Sequence, residues 1–102
     1  MIQTITPIDN TIYVEREYNS KIIEETISNS VIAQNEWGSL KVEERVDLLK
    51  KFVADFLSKE KQIIEEITRQ MGRPISQAVN ELKGFQERAD YMLSIADEKL
   101  KN

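Results

Sequence analysis

The stretch VEERVDLLKKFVADF, Val42–Phe56, decides the fold of this chain. Its apolar residues follow one another at spacings of four and three, which keeps them on one face of an α-helix. These positions are Val42, Val46, Leu49, Val53 and Phe56. Asp47 and Lys51 lie four residues apart on the opposite side, where they can pair weakly. The pattern therefore predicts an amphipathic helix.

Two further helices are predicted after this one. Ser58 can cap a third helix, whose apolar positions are Ile63, Ile64, Ile67 and Met71. Gly72 suits the residue just beyond the end of that helix, and Pro74 suits the first turn of the next. The fourth helix should be the longest, from Pro74 to about Leu100. Its apolar positions resemble a short coiled-coil seam and are Ala78, Leu82, Phe85, Ala89, Met92 and Ala96. Gly84 within it costs about 1 kcal/mol relative to alanine, which suggests close packing at that point.

The residues before Val42 predict one more helix and an extended start. A first helix should begin at Asn19 or Ser20 and end near Trp37-Gly38, with an apolar stripe formed by Ile23, Ile27 and Val31. In residues 1–18, Pro7 and the turn signal Asp9-Asn10 favour a hairpin or an extended segment. The predicted fold is mainly α: a short N-terminal β-hairpin or extended segment, 1–18, and a helical region of four helices, 19–102, the last one long.

The composition excludes several classes of function. Of 102 residues, 40% are apolar and 31% charged, a globular balance, and the formal net charge is −4. A negative charge without a basic run argues against nucleic acid or an anionic membrane as partner. The absence of cysteine and histidine removes thiolate nucleophiles, disulfides and the usual zinc ligands, so no metal site is predicted. No signal peptide or apolar run of membrane-spanning length is found, and a cytoplasmic location is expected by exclusion.

No catalytic centre emerges from the residues themselves. The acid pairs Glu24-Glu25, Glu43-Glu44 and Glu65-Glu66 are adjacent in sequence, so on a helix they point about 100° apart and suit a solvated face better than a site. The glycines are isolated and form no phosphate-binding loop, and the serines lack a histidine to activate them. A lysine nucleophile remains open, provided that burial lowers its pKa. Trp37, Met71 and Met92 are interpreted as core residues.

Six segments follow one another in a specific order along the chain. They read TPIDNTIYVER (6–16), VIAQNEW (31–37), ERVDLLK (44–50), EEITRQMGRP (65–74), QAVNE (77–81) and GFQERA (84–89). In this order they resemble the N-terminal part of aldehyde dehydrogenases. The corresponding family motifs are SPIDGS…ER, the helix end A-x-x-A-(Q/F)-x-x-W, E-R-x-x-x-L-x-K, E-L-x-x-x-E-x-G-K-P, A-x-x-E and the G-F-E-E-R-A of a subgroup. Asn10 stands where a turn glycine is usual, Arg73 replaces a lysine, and Gln70-Met71 stands where an acidic residue is common.

The resemblance implies the N-terminal fragment of a larger α/β enzyme that oxidises an aldehyde to a carboxylic acid with NAD or NADP. The family's catalytic cysteine, glutamate, asparagine and glycine-rich cofactor segment correspond to no residue of this chain, so no catalytic and no cofactor-binding residue is assigned. In family members the helix after Gly-Lys-Pro lines the mouth of the substrate tunnel. By position this implicates Glu81 and Phe85, for which ordinary helix packing is an equal alternative.

Three hypotheses therefore stand. The first is an N-terminal fragment of an aldehyde dehydrogenase, inactive alone, produced by truncation or a split reading frame. The second is a non-catalytic helical interaction or oligomerisation module. The third is a lysine-dependent enzyme. In the first two cases we expect a homo-oligomer formed through exposed helix faces, namely the second helix and the Ala78–Ala96 seam.

Overall fold

The computed structural model describes residues 1–100, which form a two-stranded hairpin followed by four helices. The elements are β1 (Ile2–Ile5), β2 (Ile12–Arg16), α1 (Ser20–Ser39), α2 (Val42–Ser58), α3 (Glu60–Met71) and α4 (Ile75–Lys99). The helices make up about three quarters of these residues, and α4 is the longest, which confirms the predicted mainly α class. The predicted helical region also included residues 101 and 102, which lie outside the described residues. The division of the chain at 18/19 stays a prediction.

The hairpin is antiparallel and closes through a structured turn. Ile2 pairs with Arg16 at its open end, and β1 stops at Ile5, two residues before Pro7. The carboxylate of Asp9 accepts hydrogen bonds from the backbone N–H of Thr11 at 3.0 Å and from its hydroxyl at 2.6 Å. Asn10 has φ 63°, in the left-handed region that glycine and asparagine enter most easily. Asparagine can therefore occupy the position where the family usually has glycine.

Helix α1 begins as predicted but buries nothing. The side chain of Asn19 accepts a hydrogen bond from the backbone N–H of Ile22 at 2.9 Å and caps the helix. No residue of α1 is buried, and its apolar stripe is 49% exposed at Ile23, 59% at Ile27 and 57% at Val31. The stripe exists, but nothing in the described part of the chain covers it.

The boundary between α2 and α3 differs from the prediction. Ser58 does not cap α3; it is the last residue of α2, and its hydroxyl donates to the carbonyl of Asp55 at 2.5 Å. The reason is that Lys59 already stands between the two helices, so α3 begins at Glu60 without a side-chain cap. The other end of α3 is as predicted, because Gly72 ends it with φ 75°. Pro74 is the residue just before α4 rather than its first helical residue.

The core is small and lies where α4 packs against α2 and α3. Its buried apolar residues are Val53 of α2 with Ala78 and Leu82 of α4. Only the first half of the α4 seam is therefore buried. Trp37 is half-buried, whereas Met71 and Met92 are 76% and 62% exposed, so the core interpretation is wrong for both methionines in this chain.

Gly84 does not mark a close helix–helix contact. A Cβ atom added there would lie 3.3 Å from the guanidinium of Arg88, a flexible side chain of the same helix. The close approach occurs instead at Gly72, where an added Cβ atom would lie 2.8 Å from Cγ of Pro7. Gly72 thus brings the hairpin turn against the end of α3.

Candidate functional site

A polar network joins the hairpin to α3. The hydroxyl of Tyr13 donates to Oε1 of Glu66 at 2.8 Å, and the amide of Gln70 donates to Oε2 of the same carboxylate at 2.8 Å. Both Tyr13 and Glu66 are half-buried. Helical spacing of four places Gln70 beside Glu66, while the alternation of β2 turns Tyr13 toward the helix. The carboxylate is therefore held from two elements that are distant in sequence.

Hydrogen bonding shifts the pKa values of this network in opposite directions. The bond from Gln70 and then that from Tyr13 favour the ionised carboxylate and lower the pKa of Glu66 below its usual value. The carboxylate of Glu66 accepts a hydrogen bond from the hydroxyl of Tyr13. This bond stabilises the neutral phenol and raises the pKa of Tyr13 above its usual value. The network is therefore suited to holding an ionised glutamate and a neutral tyrosine, which is a structural rather than a proton-transferring arrangement.

Sequence reasoning placed Glu65-Glu66 on a solvated face and missed this network. The prediction is confirmed for Glu65, which is exposed and pairs with Arg69 at 3.1 Å. Glu66 is the exception. The available signal was Tyr13, an aromatic residue with a polar hydroxyl in a strand that has to lie on something else. A hydroxyl brought against α3 requires an acceptor there.

The structure separates the two predicted tunnel-mouth residues into different surroundings. Glu81 is exposed and pairs with the guanidinium of Arg73, the residue that replaces the family's lysine. Together with Ile67 and Met71, this pair lines a shallow depression of about 430 Å³. Glu81 is therefore placed at an accessible surface, and its role at a tunnel mouth stays a prediction.

Phe85 is half-buried and takes part in an aromatic row. Its ring centroid lies 4.7 Å from that of Phe56, and Phe56 lies 5.9 Å from Phe52, which is 53% exposed. Tilted rings at these separations stabilise packing between helices. In this chain Phe85 thus links α4 to α2, and its contact with a substrate also stays a prediction.

The lysines of the described residues do not meet the requirement for a nucleophile. Every described lysine is exposed, so the burial that a lysine nucleophile requires is missing in residues 1–100. In the same range, no group of three or more acidic side chains is placed to hold a metal ion. None of the four helices of the described chain is long and apolar enough to cross a membrane.

Comparison with known proteins assigns the family. A model of the aldehyde dehydrogenase family matches residues 1–102, the whole of the chain. The chain belongs to the aldehyde dehydrogenase family. No curated protein and no solved structure matches it. The family assignment therefore rests on the match along the entire sequence, and the six resembling segments lie within it.

Aldehyde dehydrogenases are oxidoreductases that generally use NAD or NADP, so the residues present can be tested against a dinucleotide. A pyrophosphate is usually held by a glycine-rich loop that opens into a helix N-terminus. Here the four helices begin after Asn19, Lys41, Lys59 and Pro74. The glycines nearest before a helix start are Gly38, which lies within α1, and Gly72, which packs against Pro7. Residues 1–100 of this member of the aldehyde dehydrogenase family therefore contain no glycine-rich loop of the kind that holds a pyrophosphate.

Proposed function

We propose that this chain forms the N-terminal helical part of an NAD(P)-dependent aldehyde dehydrogenase, which oxidises an aldehyde to a carboxylic acid. The family match over residues 1–102 carries the proposal. The catalytic cysteine, the water-activating glutamate and the cofactor loop are supplied by other sequence. The chain alone binds neither aldehyde nor nucleotide in a productive way. The cytoplasmic location expected from the sequence is part of the same proposal.

The exposed apolar surface supports a role within a larger body. Among residues 1–100 only three apolar residues are buried, whereas α1 exposes five aliphatic side chains at 46% or more, Ile22, Ile23, Ile27, Val31 and Ile32. Isolated soluble proteins rarely leave a helix of this kind uncovered. In the proposed enzyme, the sheet of the cofactor-binding domain covers this helix.

A complementation experiment tests whether this chain can supply the missing N-terminal part of such an enzyme. A related aldehyde dehydrogenase lacking its corresponding N-terminal segment is co-expressed with this chain, and NADH formation from an aldehyde is measured. We expect no activity from either polypeptide alone and activity from the pair. Failure of the pair to associate or to form NADH contradicts the proposal.

A matched pair of variants identifies the surface used. Ile27→Glu places a charge on the apolar stripe of α1, whereas Ser28→Glu places the same charge about 100° away on the same helix. Both residues are exposed in this chain, so neither substitution disturbs its own core. We expect Ile27→Glu to abolish complementation and Ser28→Glu to retain it.

The second candidate is a non-catalytic helical interaction module. It is favoured by the contacts of α4 with both α2 and α3, which give these three helices a core of their own. Such a module self-associates through exposed faces of α2 and the open half of the α4 seam. Stable homo-oligomers without any complementation support this candidate over the first.

A further inference from the structure

Helix α1 is joined to the rest of the chain mainly at its two ends. It buries no residue, and its side-chain hydrogen bonds stay within the helix, such as those from Thr26 to the carbonyl of Ile22 and from Ser30 to the carbonyl of Thr26. At its carboxyl end, Leu40 and Lys41 connect it to α2, which belongs to the helical core. A helix of 20 residues is about 30 Å long, so this short junction alone leaves its far end free to swing.

The amino end of α1 is joined to the hairpin by a short linker. Residues 17–19 connect Arg16, the last residue of β2, to Ser20, the first residue of α1. Three residues span at most about 11 Å, even when they are fully extended. The position of β2 therefore restricts where the amino end of α1 can lie.

The hairpin is itself held on the helical core. The hydroxyl of Tyr13 donates to Glu66 at 2.8 Å, and a Cβ atom added to Gly72 would lie 2.8 Å from the ring of Pro7. Thr6, in the same turn as Pro7, is only 6% exposed. The hairpin is therefore docked on the same body of helices to which the carboxyl end of α1 is attached.

We propose that the docked hairpin fixes the direction of α1, so that the apolar stripe of Ile23, Ile27 and Val31 is presented to the remainder of the enzyme in one orientation. Preorganisation of this kind raises affinity, because less conformational freedom is lost on binding. The docking of the stripe rests on the proposed function, whereas the fixed direction of α1 is a property of this chain alone. The hairpin thus acts as a positioning element for a docking helix.

Distances between spin labels test the fixed direction of α1 in this chain alone. Because the sequence has no cysteine, Ser28→Cys on α1 and Glu87→Cys on α4 place nitroxide labels at two exposed positions. We expect a narrow distribution of distances between these labels. Insertion of Gly-Ser-Gly after Glu17 should broaden it about twofold or more, because a flexible linker uncouples α1 from a hairpin that stays docked. The pair Lys51→Cys and Glu87→Cys, between two helices of the core, is the control and should not respond.

Release of the hairpin should have the same effect as lengthening the linker. Pro7→Ala combined with Tyr13→Phe removes both contacts with α3 and should broaden the distribution between α1 and α4, whereas Tyr18→Phe, 54% exposed, should not. Hydrogen exchange distinguishes the two variants, because the hairpin amides exchange faster in the double variant and stay protected in the insertion variant. A broad distribution in the unmodified chain, or a narrow one in either variant, overturns the fixed direction of α1.

The complementation experiment tests the presentation of the stripe. The insertion variant should bind the truncated aldehyde dehydrogenase about tenfold more weakly than the unmodified chain, as expected when a docking helix loses its preorganisation. Equal binding by the two chains overturns the presentation of the stripe and leaves the proposed function standing. If the unmodified chain does not bind, the proposed function and the presentation of the stripe are both overturned, and the spin-label distances decide the direction of α1.

Discussion

Tyr13 and Glu66 are 53 residues apart in sequence, and their side chains meet in a hydrogen bond of 2.8 Å. It is the longest-range side-chain hydrogen bond found within residues 1–100 and the one that ties the hairpin to the helices. The close approach of Pro7 to Gly72 is the second link between the hairpin and the helices. A two-stranded hairpin is marginal alone, so these two contacts help to hold it in place.

Tyr13→Phe removes the hydroxyl and keeps the ring. We expect faster hydrogen exchange of the hairpin amides with little change in α2–α4, because only the hairpin depends on this bond. Tyr18→Phe is the control, since Tyr18 is 54% exposed and follows the strand. Equal exchange in the two variants contradicts the role assigned to Tyr13.

The hairpin contact should depend on pH at both extremes. The pKa of Glu66 is lowered from 4.5, so its contribution is present above 4.5 and is lost as the pH falls through the lowered value. The pKa of Tyr13 is raised from 10.0, so its contribution is present below 10.0 and is lost as the pH rises through the raised value. NMR signals of the hairpin followed against pH should show both transitions. Glu66→Gln should lose the acidic one, because the amide oxygen still accepts the bond and does not titrate.

Leu82 should contribute more to stability than any other seam residue. It is 4% exposed, and Leu82→Ala should lower the free energy of unfolding by about 2–4 kcal/mol, as expected for truncation in a packed core. Met92→Ala, on the same seam but 62% exposed, should change it by less than about 0.5 kcal/mol. Urea denaturation measures both. Similar losses would show that the second half of the seam is also covered.

Gly72→Ala should be destabilising although it replaces a glycine at a helix end. The positive φ of 75° strains any side chain, and the new Cβ atom meets Pro7. We expect a loss of about 1–3 kcal/mol in thermal or urea unfolding. Gly84→Ala, within α4 and facing only a flexible arginine, should instead stabilise the chain by about 0.5–1 kcal/mol. A gain in both variants would contradict the close approach of the hairpin turn.

Glu81 can be tested in the complemented enzyme. Its ion pair with Arg73 is exposed, so Glu81→Gln should leave the unfolding free energy within about 0.5 kcal/mol. If it lines the tunnel mouth, the KM for the aldehyde should rise while kcat is unchanged. Glu87→Gln, another exposed position of α4, is the control. An unchanged KM would assign Glu81 to the helix surface only.

Most of the fold could be predicted from sequence signals that act between neighbouring residues. The Asn19 cap, the four-and-three spacing of α2 and the glycine after Met71 act within a few residues, so the sequence alone is sufficient to predict them. The start of α3 was missed because Ser58 forms a hydrogen bond with the preceding turn instead of the next helix. Serine can do either, and local sequence does not distinguish the two.

Burial could not be predicted in the same way. The stripes on α1 and α4 are equally regular, yet Ile27 is exposed while Leu82 is buried. Periodicity shows which face is apolar, but what covers that face depends on chain segments far away. The same limit explains why Glu66 was missed, since its partner Tyr13 lies on another element.

The separation of Tyr13 and Glu66 in sequence also determines the order in which the segments of the chain emerge from the ribosome. At 5–20 residues per second, roughly 3 to 11 s separate the emergence of the two residues. Until Glu66 emerges, the hairpin lacks this hydrogen bond, and by then the isoleucines of α1 are already outside the exit tunnel. Nascent-chain binding factors that recognise aliphatic segments should therefore meet α1 before the three later helices.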